Sequence, residues 1–120
     1  MSNIKSYKEL IVWQKSMRLV ALIYDLTKTF PYDERFGLTS QMRRCAVSVP
    51  SNIAEGWGRM SRKNYIQFLR ISRGSLYELE TQLLITKELK YSNNSEVIES
   101  LIVEVSKMLN SLIKKLEEKG

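Results

Sequence analysis

Apolar residues return along the chain every three or four positions, the spacing of one helical face. No segment carries the strict alternation of a half-buried strand. The first such stretch predicts a helix from near Ser6 to near Phe30. Ser6 and Glu9 have the spacing of a capping box, and Pro31 disfavours helical geometry in the residue before it. Val12, Leu19, Ile23, Leu26 and Phe30 form one stripe on this helix, and Leu10, Trp13, Met17, Val20, Ala21 and Tyr24 form a second beside it. Together they span roughly 220° of the circumference, where about 100° suffices to face one core. Two packing partners are therefore expected for this helix, one of them in another subunit.

The second helix is expected to open at Asp33 and to carry Leu38, Met42, Cys45, Val49, Ile53 and Trp57 on its inner face. That rhythm continues across Pro50, which predicts one kinked helix, ended by Gly56 and Gly58. The third is predicted from Ser61 to about Lys90, with Tyr65, Leu69, Ser72, Leu76, Leu79 and Leu83 inward. Gly74 lies mid-helix at a cost of about 1 kcal/mol relative to alanine, and the expected compensation is close approach of another backbone. The fourth starts around Asn93, with Glu96 three residues on, and runs to the C-terminus. Long helices joined by short loops predict an all-α, antiparallel up-down-up-down four-helix bundle with a proline-kinked second helix, one domain over residues 1–120.

Composition removes several chemistries. The chain has no histidine, which excludes a histidine base, a histidine-bearing triad and the Glu-x-x-His di-iron sites that bundles often house. Its one cysteine, Cys45, lies on an apolar stripe and reads as a buried small side chain. The carboxylate neighbours Asp33-Glu34, Glu78/Glu80 and Glu117-Glu118 diverge on a helix rather than converge. No phosphate-binding glycine loop is present. The expectation is a non-enzymatic protein without metal or cofactor. The longest apolar run, residues 19–24, is too short for a membrane span, and the start lacks a signal peptide's apolar stretch. A soluble cytoplasmic protein is the default.

The charge is unevenly placed. Arg43, Arg44, Arg59, Arg62, Lys63, Arg70 and Arg73 face only Glu55 within their stretch, which accounts for the whole net charge of +6. The twelve cations and twelve acids elsewhere cancel. Six of the seven are arginines, whose planar fork suits phosphate or carboxylate. On the third helix, Lys63, Gln67, Arg70, Arg73 and Tyr77 share one face opposite the leucines, and Arg59 and Arg62 extend it into the preceding loop. These seven cations are the candidate nucleic-acid contacts, to phosphates rather than base edges. The same stripe would serve equally in subunit contacts or as a solvated face. Glu55, Glu78 and Glu80 are the acids expected to neutralise it in a structural adaptor that docks a protein partner. Asn52 stands where an apolar residue is expected. Its amide either satisfies the carbonyl freed by Pro50 or makes a polar contact between subunits that fixes register.

The run QMRRCAVSVPSNIAEG at 41–56 resembles the signature of the bacterial four-helix bundle family founded on proteins encoded inside intervening sequences of 23S ribosomal RNA genes. Phe68-Leu69, Gly74-Ser75 and Glu78-Leu79-Glu80-Thr81 are similar to its second signature, and Leu10, Val12-Trp13-Gln14 and Phe30-Pro31 agree. Lys90-Tyr91 departs from it, since the family commonly has glycine before the tyrosine. The resemblance implies an antiparallel bundle assembled as a cyclic homopentamer. It also implies kinship with the accessory variability protein of diversity-generating retroelements, which binds nucleic acid and a reverse transcriptase through a basic surface. RNA or DNA, further copies of the chain and a protein partner such as a reverse transcriptase are thus the partners it suggests.

Overall fold

A computed structural model describes residues 4–119; the reading made from Met1 to Asn3 lies outside them. Four helices carry the fold: α1 (Ile11–Thr27), α2 (Leu38–Trp57), α3 (Arg62–Glu88) and α4 (Glu96–Glu118), with short 3₁₀ turns at Tyr7–Glu9 and Tyr32–Glu34. No strand forms among the described residues.

Cross-helix partners descend along one helix as they ascend its neighbour. On α2 and α3, Met42 meets Thr86, Cys45 meets Gln82, Ser48 meets Ser75 and Gly56 meets Phe68. Arg70 and Glu117, Arg73 and Asn110, and Lys87 and Glu99 order α3 against α4 in the same reversed sense. The core between them holds Leu19, Ile23, Met42, Val49, Ile53, Leu69, Leu76, Leu79, Ile102, Val105 and Leu109, each shielded from solvent. Most of the inner faces predicted for α2 and α3 are buried, while Leu38, Trp57 and Tyr65 at their ends are half-buried.

Several boundaries depart from the sequence expectation. The capping box at Ser6 forms, with Lys8 N donating to Ser6 Oγ (3.1 Å) and Ser6 N to Glu9 Oε2 (3.1 Å). It caps the 3₁₀ turn, and Leu10 is extended before α1 begins. The turn places the Tyr7 ring edge-on to Trp13 (5.3 Å) and within 6.5 Å of Trp57 at the far end of α2. Likewise α2 opens at Leu38 rather than Asp33, because residues 32–34 form their own turn. Glu34 then serves as a remote cap, its Oε1 accepting Leu38 N at 3.1 Å and its Oε2 accepting the Tyr91 hydroxyl at 2.8 Å. Helix α4 opens at Glu96, and Ser95 donates to Glu99 instead of capping the helix with its own side chain.

Helix α2 runs without interruption through the buried Pro50. Side chains stitch the surrounding turn. Ser72 of α3 donates to Val49 O (2.8 Å), and Asn52 donates to both Ser48 O (2.8 Å) and Ser48 Oγ (2.9 Å). Asn52 therefore does not serve the carbonyl of Ala46 that Pro50 leaves free; it folds back four residues onto Ser48.

Within the chain, the close backbone approach lies at Gly56 rather than at Gly74. A Cβ on Gly56 would sit 2.7 Å from Phe68 Cβ, whereas one on Gly74 meets nothing within 4 Å. In α1 the stripe of Val12, Leu19 and Ile23 is buried, while Met17 and Tyr24 of the second stripe remain 45% and 38% exposed. That second stripe borders α2 along a groove of about 340 Å³ that includes Trp13, Val20 and Pro50.

Candidate nucleic-acid interface

The seven predicted cations are divided between two grooves and the stretches linking them. The first groove, about 520 Å³, lies between α1 and the opening turns of α2 and is lined by Tyr24, Arg35, Thr39, Ser40, Arg43 and Arg44, among others. Arg43 is half-buried there. Its Nε donates to Thr27 Oγ1 (2.8 Å) and its guanidinium lies 4.6 Å from the centre of the Tyr24 ring. Its neighbour Arg44, about 100° further around the helix, is exposed.

The second groove, about 560 Å³, follows the first turns of α3 where the end of α4 passes beside them. Arg62, Lys63, Gln67 and Arg70 line one wall, and Leu116 and Glu117 the other. Three of the residues assigned to one basic face of α3 are therefore side by side. Arg70 is ion-paired with Glu117, while Arg62 and Lys63 are exposed. Arg73, further along, donates to Asn110 Oδ1 at 3.0 Å. Arg59 pairs with Glu55 one turn earlier (2.8 Å) and lies 4.8 Å from the centre of the Phe68 ring.

Two acids differ in role from the sequence expectation. Glu117, singled out in the sequence only as one of a diverging pair, reaches across from α4 to Arg70. Glu78 lies near enough to Cys45 to act on its thiol. Burial first, and then hydrogen bonding to Glu78, push the Cys45 thiol up to about 11, so it is protonated at neutral pH. Arg35 is the cation that sequence reasoning missed, because Asp33 and Glu34 beside it cancel its charge in any running count. The signal available was its place between two aromatic residues, Tyr32 and Phe36, in the turn after Pro31. Among the described residues no group of three Cys, Asp or Glu is placed to hold a metal ion.

Fold and grooves together define the class: an all-α four-helix bundle with arginine-lined clefts at its helix junctions. This chain belongs to the 23S rRNA-intervening sequence protein family, which matches residues 8–111. It is similar in structure to a solved protein of unknown function from the S23 ribosomal protein family of Bacteroides thetaiotaomicron. The two share 28% identity and a TM-score of 0.80, over 87% of this chain and 96% of the other. Comparison with curated proteins returns no match. Neither similarity indicates an enzyme, and no helix among the described residues is long and apolar enough to cross a membrane.

Proposed function

We propose that this protein is a non-enzymatic, homo-oligomeric bundle that binds the phosphate backbone of RNA or DNA with weak sequence preference. The observation that carries this reading is the pair of cation-lined grooves, in which Arg44, Arg62 and Lys63 stand exposed, with Arg43 and Arg70 beside them. Guanidinium and ammonium groups placed this way neutralise phosphates and release counterions, a contribution that carries no sequence information. The family's name, which refers to ribosomal RNA genes, supports a nucleic-acid partner.

Self-association draws support from the exposed surface. Ile71, Gly74 and Ile85 lie on one face of α3, where they meet solvent. A pentamer, as the family resemblance implies, would carry five times the +6 of the basic stretch, a formal +30.

Fluorescence anisotropy with structured RNA and with duplex DNA at low salt, repeated over rising salt, tests the reading. Binding with log K falling steeply against log salt is the expected result. Exchanging Arg62 or Lys63 for Gln should weaken binding to all sequences alike and reduce that slope by about 1. An oligomer by sedimentation that binds neither polymer points instead to the adaptor role.

A further inference from the structure

The turn between α1 and α2 carries an arrangement that backbone binding does not use. Phe36 is 83% exposed and Tyr32 74% exposed, two large rings held in water within one short turn. Arg35 is set between them. Its guanidinium carbon lies 3.7 Å from the centre of the Tyr32 ring and 4.7 Å from that of Phe36, and its Nη1 donates to Tyr32 O (3.2 Å). The contact holds both rings against one cation yet leaves most of their surface open.

The same Arg35 lines the first groove with Arg43, Arg44 and the hydroxyl-bearing Thr39 and Ser40, so one side chain links the two rings to that groove. Glu34 is turned away to Tyr91 and the Leu38 amide, which leaves Asp33 as the exposed acid of the turn.

From this juxtaposition we infer that the turn at Tyr32–Phe36 is a stacking platform for unpaired nucleobases, with the neighbouring groove taking the phosphates of the same strand. Rings interleaved with cations suit a single strand, because every base offers a π-face and each phosphate a charge. A duplex keeps its base faces stacked on one another and can present only its backbone. The second groove has cations but no exposed ring among its lining residues, so it discriminates less between the two forms. The inference rests on the nucleic-acid reading above and adds to it the form of strand and the place where it is gripped.

Fluorescein-labelled 12-mers of uridine and of thymidine, and a 12-base-pair duplex, provide the test, using the full chain at low salt. Single strands should bind more tightly than the duplex, and the stronger of the two 12-mers identifies RNA or DNA as the occupant. Phe36→Ala and Tyr32→Ala should each weaken single-strand binding roughly tenfold and leave duplex binding within about twofold. Both side chains are exposed, so folding is expected to survive, and circular dichroism checks it. Substituting 5-iodouracil in the strand should give photocrosslinks that map to Tyr32 or Phe36. Equal binding of strand and duplex, unchanged in both variants, overturns the platform while leaving backbone binding intact. Absence of binding to every probe overturns the parent reading as well. Variants that lose self-association but keep full strand affinity assign the rings to contacts between copies, and that also overturns the platform.

Discussion

Lys90 has a φ of 60°, the one positive value among the described non-glycine residues. It follows α3 in the left-handed conformation that closes a helix end. Tyr91 N reaches Thr86 O (3.1 Å) and Lys90 N reaches Lys87 O (3.0 Å), a Schellman-type pair of bonds. A lysine Cβ is crowded in that region, and glycine is not. The family's usual glycine before this tyrosine is thus the residue the geometry calls for, and the departure visible in the sequence is a strained position in the fold. Lys90→Gly should stabilise the chain by about 1 kcal/mol, allowing for the extra freedom glycine gives the unfolded state. Thermal unfolding followed by circular dichroism checks this, with an expected rise in Tm of about 4 °C.

Between elements, the α2–α3 crossing is set by side chains too small to keep the helices apart. Gly56→Ala should destabilise by about 1–3 kcal/mol, since its Cβ would have to displace the Cβ of Phe68. Gly74→Ala, with open space around it, should stabilise an isolated chain by up to about 1 kcal/mol. Denaturant titration of the pair reads the opposite signs. The number of helices and their inner faces were legible because burial of Leu69, Leu76, Leu79 and Leu83 follows directly from helical spacing. The starts of α1 and α2 were not, because they depend on contacts remote in sequence: Tyr7 on Trp57, and Glu34 under Tyr91. Cation placement was legible only along a single helix. That Lys63, Gln67 and Arg70 share a groove follows from their spacing, but that α4 offers Glu117 to Arg70 does not. Glu117→Gln should release Arg70 and raise polyanion affinity a few-fold. Stability should change by less than about 1 kcal/mol, because both partners are nearly half exposed. Anisotropy and thermal unfolding on the same variant separate the two effects.

At the scale of the molecule, the bundle measures 46 × 24 × 21 Å. The reversed helix order places the opening of α2 beside the later half of α3, and the opening of α3 beside the end of α2. One cation-lined groove therefore lies toward each end of the long axis. Each helix packs on its neighbours in chain order and α4 closes on α1, so the groove between α1 and α2 and the groove between α3 and α4 open on opposite sides of the bundle. A straight duplex lying along one side therefore engages one groove at a time. Titration with a duplex of about eight pairs should saturate near two per chain, and saturation at one means that a single groove binds. With its cations turned to both flanks, the protein would work as a spacer that holds two strands apart.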